Sequence, residues 1–219
     1  MEPVKLYLLF YNLAQCFGWS LILAKTTLAL LESKSSKGVY DAVTDELTLF
    51  QTAALLEVVH SALGFVRSPM ATTFMQVCSR LVVLWPVTHG VQTAQYSVGV
   101  PMYVIAWSMA EVVRYSFYGL TILNSTPHFL VWLRYTAFIV LYPIGVSGEL
   151  LTVVSALPEV KRSNRFSIAL PNRANFSFSY YYALIVFSLL YIPFFPQLYF
   201  YMLAQRKKVL SSEPRKKED

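Results

Sequence analysis

Six long apolar stretches dominate the sequence and restrict the folds that this chain can adopt. They cover roughly residues 6–31, 47–66, 72–91, 100–123, 129–153 and 179–203. Each is close to the ~20 residues that one crossing of a lipid bilayer requires. Because hydrocarbon offers no partners to backbone polar groups, each stretch is predicted to form a helix. The predicted fold class is therefore all-α, a polytopic membrane protein with a six-transmembrane-helix bundle.

The composition excludes several classes of protein. Of the 219 residues, 56% are hydrophobic and 14% are charged, whereas soluble domains are about 25% charged. A disordered chain, a disulfide scaffold and a typical cytosolic enzyme are all ruled out. The two cysteines, Cys16 and Cys78, lie inside apolar stretches and lack the spacing of a metal site. No cluster of residues matches a zinc or di-iron site, so we expect no metal. No glycine-rich phosphate loop occurs, so we expect no nucleotide cofactor.

The net charge of +6 is concentrated in two short segments. Residues 206–219 hold six basic and three acidic side chains, and residues 159–173 hold four basic and one acidic. Basic segments beside membrane helices favour anionic headgroups, so membrane lipid is an expected partner and nucleic acid is not. We divide the chain into a six-helix membrane domain, residues 1–205, and a basic cytosolic tail, residues 206–219.

The chain ends in Lys216-Lys217-Glu218-Asp219, which has the form K-K-x-x. This ending resembles the dilysine signal that returns membrane proteins to the endoplasmic reticulum and that works only from the cytosol. An even number of spans places both termini on one side, so we expect an endoplasmic-reticulum membrane protein with both termini cytosolic. The distribution of Lys and Arg over the loops favours this orientation only slightly, and an ordinary charged tail is the alternative.

Ionisable residues inside the apolar stretches are the most informative side chains. They are Glu57, Arg80, Glu111, Arg114 and Glu149, with Arg134 near the end of a stretch. An isolated charge at the bilayer centre costs at least ~2.5–3.5 kcal/mol, so these acids and arginines should face one another or a polar cavity. Glu111 and Arg114 can pair at their i, i+3 spacing. His60 lies one turn from Glu57, within reach of a hydrogen bond.

The fifth stretch contains a tyrosine and a glutamate seven residues apart, Tyr142 and Glu149. Seven residues fall ~20° short of two helical turns, so both side chains face one side, ~10 Å apart along the axis. Pro143 should kink the helix, and Gly145 and Gly148 let another helix or a ligand chain approach closely. An acid and a phenol facing one opening, or a buried and satisfied pair, both fit this spacing.

Four segments resemble the membrane 3-hydroxyacyl-CoA dehydratases, also called the protein-tyrosine-phosphatase-like family, most closely its plant Pasticcino-type members. They are residues 135–149 (YTAFIVLYPIGVSGE), residues 107–118 (WSMAEVVRYSFY), Leu56-Glu57-Val58-Val59-His60 and Ser79-Arg80. The resemblance implies removal of water from very-long-chain (3R)-3-hydroxyacyl-CoA to give trans-2-enoyl-CoA, the third step of fatty acid elongation, without a cofactor. It further implies an acyl-CoA substrate and, as partners, the condensing enzyme, the 3-ketoacyl-CoA reductase and the enoyl-CoA reductase.

The family's catalytic tyrosine and glutamate fall on Tyr142 and Glu149. Dehydration needs a base for the C2 proton and an acid for the departing hydroxyl. Our hypothesis is that Glu149 is the base and Tyr142 the proton donor, with the reverse assignment open. Arg114 is a candidate to stabilise an enolate oxygen, and Arg80 or Arg134 to bind the CoA phosphates. Supporting roles are predicted for Glu57, Glu111 and Gly145.

Other functions fit the sequence less well. A cysteine phosphatase needs H-C-x-x-G-x-x-R with a thiolate nucleophile. The nearest match runs from His60 to Arg67 and has Ser61 at the nucleophile position, so no phosphatase activity is expected. A transporter would show repeated halves, and none is visible. A non-catalytic scaffold for elongation enzymes, or a regulator that binds phosphoproteins, is the alternative function.

Overall fold

The computed structural model of the chain describes residues 2–33, 35–173 and 175–211. Over these residues all regular secondary structure is helical, and a single antiparallel bridge joins Ile168 and Phe178. The all-α prediction is therefore confirmed. Most of the predicted basic tail, including its K-K-x-x ending, lies at residues 212–219 and thus outside the described residues.

Most connections between consecutive helices are short, and the longest, residues 164–179, joins the last two helices. They are α1 (Pro3–Ser33), α2 (Val39–Ala53), α3 (Leu55–Ala62), α4 (Met70–Val82), a π-helical segment (Val83–His89), α5 (Gln92–Gln95), α6 (Gly99–Ile122), α7 (His128–Thr136), α8 (Phe138–Ser163) and α9 (Tyr180–Ser211).

Four helical segments in the described chain are long and apolar enough to cross a membrane. They are Pro3–Ser33, Met70–His89, Phe138–Ser163 and Tyr180–Ser211. The chain is thus a membrane protein by the composition of its helices, with fewer candidate spans than the six predicted. The stretch at 47–66 is divided between α2 and α3. The stretch at 100–123 forms α6. Its central part contains both Glu111 and Arg114, so this helix is less apolar than the four candidate spans.

The fifth predicted stretch is interrupted at Ala137, between α7 and α8, and α8 then continues without a break through Pro143. A proline removes the backbone N–H that would bond to the carbonyl four residues earlier, here the carbonyl of Ile139. The hydroxyl of Tyr199, on α9, donates to that carbonyl at 3.4 Å. A side chain of the neighbouring helix therefore supplies the hydrogen bond that Pro143 cannot make.

Helix α6 forms the centre of the bundle. Its packing against α1 and against α8 gives the two most extensive helix contacts of the described chain. Tyr103, Trp107 and Tyr115 of α6 are all buried in the larger apolar core. By contrast, α9 has only Tyr180 and Leu184 buried, so most of its surface faces outward, as expected of a helix in contact with lipid.

Gly99 of α6 and Gly148 of α8 set the distance between these two helices. A Cβ atom on Gly148 would lie 2.7 Å from both the Gly99 carbonyl oxygen and the Tyr103 amide nitrogen. Such a contact is too short for either backbone to tolerate. At Gly145, one turn away, the nearest atom to an added Cβ would be the Ala106 Cβ at 3.5 Å, an ordinary contact. The predicted close approach of another helix therefore occurs at Gly148.

We expect Gly148→Ala to lower the stability of the bundle because it forces α6 and α8 apart. Overpacking of this kind costs about 1–3 kcal/mol. Gly145→Ala is the matched control, since the added methyl group there has room. Thermal unfolding in detergent, followed by tryptophan fluorescence, should show a lower Tm for Gly148→Ala only. Equal Tm values would show that the helix spacing does not depend on this contact.

Candidate active site

Tyr142 and Glu149 both lie on the side of α8 that faces α9, as their seven-residue spacing predicts. The Tyr142 ring stacks on Phe195, with centroids 5.8 Å apart and planes inclined by 15°. The Tyr191 hydroxyl donates to Glu149 Oε2 at 2.5 Å. Because α8 and α9 run antiparallel, the earlier residue of α8 meets the later residue of α9.

The Glu149 carboxylate is held by neutral donors on both oxygens. Its side chain is buried, with 8% of the residue exposed. The indole N–H of Trp107, on α6, donates to Oε1 at 2.8 Å, and Tyr191 donates to Oε2. Among the described residues no Lys or Arg forms an ion pair with this carboxylate. Each oxygen keeps a second lone pair, so Glu149 can still accept a proton.

The hydroxyl group of Tyr142 has no hydrogen-bond partner within the described part of the chain. The residue is half-buried, and Arg80 and Glu149 both interact with it electrostatically. A phenol that is already shielded but not engaged can donate its proton to a bound molecule. The two groups therefore differ in their hydrogen bonding. Within the described chain the Tyr142 hydroxyl has no hydrogen bond, whereas both oxygens of the Glu149 carboxylate accept one.

Beside this pair, four charged side chains form a continuous network. Arg114 donates through Nη1 and Nη2 to the two oxygens of Glu57, both at 2.7 Å, and through Nε to Glu111 Oε2 at 2.6 Å. Arg80 donates to the other oxygen of Glu111, and the Tyr115 hydroxyl donates to Glu57. The predicted pairing of Glu111 with Arg114 is confirmed. Two acids balance two arginines, so the network is neutral.

The ion-pair network borders the candidate active site through one tryptophan. The guanidinium of Arg80 lies over the Trp107 ring, 5.1 Å from its centroid. Trp107 in turn donates to Glu149, and Arg80 also interacts electrostatically with that carboxylate. The tryptophan thus connects the charged network to the Glu149 carboxylate.

Three predicted residues lie apart from these contacts. Arg134, near the end of α7, stands 6.0 Å from the centroid of the Tyr118 ring and takes part in none of the ion pairs of the described residues. His60 does not bond to Glu57, because its Nε2 shares a hydrogen bond with the Tyr7 hydroxyl at 2.9 Å. Gly145 packs against Ala106 and the Trp107 ring.

The serine at the phosphatase-like position is engaged in a structural contact. The Ser61 hydroxyl donates to the carbonyl of Ser68 at 2.6 Å, and it lies at the end of α3. A phosphatase nucleophile needs a thiolate free to attack phosphorus. Within the described ranges no group of His, Cys, Asp and Glu side chains is arranged to hold a metal ion.

Two donors to Glu149, Trp107 and Tyr191, were not identified from the sequence. Trp107 is the first residue of the motif at 107–118. No residue spacing in the sequence predicts that its indole bonds to a carboxylate on another helix. Tyr191 is one of 15 tyrosines and lies 42 residues after Glu149. Its role depends on how α8 and α9 align, which the local pattern does not contain.

Comparison with known proteins identifies the class. The family model described as "Protein tyrosine phosphatase-like protein, PTPLA" matches residues 51–212, and the chain belongs to this family. It is 51% identical to the very-long-chain (3R)-3-hydroxyacyl-CoA dehydratase hpo-8 of Caenorhabditis elegans, over 98% of this chain and 99% of the relative. The chain is 48% identical to the very-long-chain (3R)-3-hydroxyacyl-CoA dehydratase 2 of Homo sapiens, over 96% of this chain and 84% of the relative. The chain is 42% identical to the very-long-chain (3R)-3-hydroxyacyl-CoA dehydratase PASTICCINO 2A of Oryza sativa, over 94% of each chain. No solved structure matches the chain.

We expect Glu111→Gln to destabilise the protein strongly, because it leaves Arg80 and Arg114 short of a negative charge in a buried network. Breaking a buried ion pair by removing one partner costs about 3–5 kcal/mol. The matched control is Lys5→Gln, which removes an exposed pair with Glu2, and such pairs contribute at most about 1 kcal/mol. Thermal unfolding in detergent should show a large loss of Tm for Glu111→Gln alone. A small and equal change would mean that the network contributes little.

Proposed function

We propose that this protein is a very-long-chain (3R)-3-hydroxyacyl-CoA dehydratase, a membrane hydro-lyase of fatty acid elongation. The observation that carries the proposal is that relatives 42–51% identical over nearly the whole chain bear this name. The substrate is then an acyl-CoA, and the product is the trans-2-enoyl-CoA together with water.

Tyr142 and Glu149 are proposed as the catalytic pair. In the proposed reaction a Glu149 oxygen takes a proton from C2 of the substrate, the C2–C3 double bond forms and the C3–O bond breaks. Tyr142 gives its proton to the departing hydroxyl, which leaves as water. The proton on Glu149 then returns to the phenolate, so no net proton is gained or lost. The free hydroxyl of Tyr142 and the acceptor role of Glu149 support this assignment over the reverse one.

The arginines receive different proposed roles. The guanidinium of Arg114 is fully engaged with Glu57, Glu111 and Tyr115, which supports a structural role over contact with substrate. Arg80 lies over the ring of Trp107, which donates to Glu149, so it is better placed to stabilise negative charge that develops on the thioester oxygen. Arg134 remains a proposed contact for the CoA phosphates.

Six crossings with cytosolic termini are the proposed topology, with residues 1–205 as the membrane domain. Helix α6 has 24 residues, a length of ~36 Å, against ~30 Å for the hydrocarbon core. It packs along α1 and α8, both of which are candidate spans. A helix enclosed between two spanning helices can cross despite its charges, because those charges pair inside the bundle.

Location in the endoplasmic reticulum and contact with the other elongation enzymes complete the proposal. The K-K-x-x ending supports the location. Partnership with the condensing enzyme, the 3-ketoacyl-CoA reductase and the enoyl-CoA reductase would follow from the sequence of reactions. A scaffold without catalytic activity is the second candidate.

We expect Tyr142→Phe and Glu149→Gln each to lower turnover at least 100-fold, since general acid–base groups contribute about 10²–10⁴ in rate. The assay uses the purified full-length protein in detergent with a long-chain (3R)-3-hydroxyacyl-CoA and measures the enoyl-CoA formed. Tyr201→Phe is the matched control, because Tyr201 is exposed on α9. Folded wild-type protein that forms no product would favour the scaffold, and full activity in either variant would refute its catalytic role.

The proposed topology predicts which loops reach the lumen. A flexible segment carrying a glycosylation sequon is inserted in the loop at 164–179, in the loop at 63–69, or directly before Glu2. With six spans and cytosolic termini, only the insertion at 164–179 should gain a glycan, measured as a mobility shift that an endoglycosidase reverses. With four spans the loop at 63–69 would be lumenal and would be modified as well. A glycan on the segment inserted before Glu2 would show that the termini are lumenal, opposite to the proposed orientation.

A further inference from the structure

We infer that Tyr191 is a positioning residue of the proposed dehydratase, which fixes the Glu149 carboxylate for proton abstraction together with Trp107. This inference rests on the proposed function and concerns a residue outside the predicted catalytic pair. Its basis is a hydrogen bond of 2.5 Å from the Tyr191 hydroxyl to Glu149 Oε2, on the carboxylate whose other oxygen accepts from Trp107 at 2.8 Å.

Two donors on opposite oxygens restrict a carboxylate more than one donor does. With Trp107 alone, small concerted changes of the side-chain torsions let the carboxylate pivot about its one hydrogen-bonded oxygen. The second bond, from a different helix, fixes the plane of the carboxylate and thereby the direction of its remaining lone pairs. Proton transfer depends on that direction, because the reacting atoms must meet within hydrogen-bond distance and in line. In this arrangement Tyr191 keeps its own proton throughout.

The placement of Tyr191 follows from an aromatic stripe on α9. We call Tyr191, Phe195 and Tyr199 the aromatic stripe; its members are four residues apart and so lie on one helix face. They contact α8 in order: Tyr191 bonds to Glu149, Phe195 stacks on Tyr142, and Tyr199 donates to the Ile139 carbonyl. One face of α9 thus contacts both members of the catalytic pair.

A purely structural role for the Tyr191 hydroxyl is the competing explanation, in which it only attaches α9 to α8. Tyr199 offers the matched comparison, because it lies on the same face of α9 and its hydroxyl also donates to α8, though to a backbone carbonyl at 3.4 Å. Replacing either tyrosine with Phe removes one hydroxyl and keeps the ring. If attachment is all that matters, the two variants should behave alike.

The test compares wild type, Tyr191→Phe and Tyr199→Phe as full-length proteins in detergent, with a long-chain (3R)-3-hydroxyacyl-CoA as substrate. We expect Tyr191→Phe to lower kcat about 10- to 100-fold, the effect of losing a hydrogen bond to a charged group. Its KM should stay within about twofold, because the hydroxyl orients the base and does not bind substrate. Tyr199→Phe should keep kcat and KM within about twofold, and both variants should remain folded at the temperature of the assay, as thermal unfolding in detergent checks.

A second readout tests the chemical step itself. With substrate deuterated at C2, the kinetic isotope effect on kcat should rise in Tyr191→Phe, because a misdirected base makes proton abstraction more rate-limiting. It should not rise in Tyr199→Phe. A structural defect that only reduces the amount of folded enzyme would leave the isotope effect unchanged.

The outcomes separate this inference from the proposed function. Wild-type protein without activity would remove both. Active wild type with an unchanged kcat in Tyr191→Phe would overturn the positioning role and leave the dehydratase standing. Equal losses of kcat and Tm in both variants would also overturn it, since they would assign the hydroxyl to attachment of α9.

Discussion

The pairing of charges inside an apolar bundle is the constraint on which the rest of this structure depends. A charge in hydrocarbon is tolerated only when an opposite charge or a polar group meets it. Glu57 on α3, Arg80 on α4 and the pair Glu111 and Arg114 on α6 meet this requirement together. Because the four side chains come from three helices, satisfying them fixes how those helices lie. The buried network thus determines tertiary structure as well as lowering an electrostatic cost.

The candidate active site is a consequence of that arrangement and of one close helix contact. Gly99 and Gly148 bring α6 and α8 together at backbone distance, and Trp107 can then reach Glu149. The same tryptophan lies under Arg80, so the neutral network stands directly beside Glu149, a buried carboxylate that forms no ion pair with any arginine in the described part of the chain. In this way the acids of the network are neutralised by arginines, whereas Glu149, the proposed base, is held by neutral donors.

Local helical geometry accounts for what the sequence could predict. The shared face of Tyr142 and Glu149 and the pairing of Glu111 with Arg114 depend only on residue spacing within one helix. Contacts between helices were not predictable, because they depend on relative position and rotation: Tyr191 with Glu149 is the clearest example. His60 shows the same limit, since Glu57 was within reach by spacing, yet Tyr7 of α1 is its partner. The breaks at Ala54 and Ala137 carry no proline or glycine to signal them.

The exposure of α9 has a consequence for how its sequence can vary. Most of its side chains face outward, where one apolar residue serves about as well as another, while the aromatic stripe meets α8 at every fourth position. The requirement for particular side chains therefore falls on a few regularly spaced positions of this helix. The aromatic-stripe residues of α9, which contact α8, recur at every fourth position. A hydropathy profile averages over neighbouring residues and cannot distinguish them from the residues that face outward.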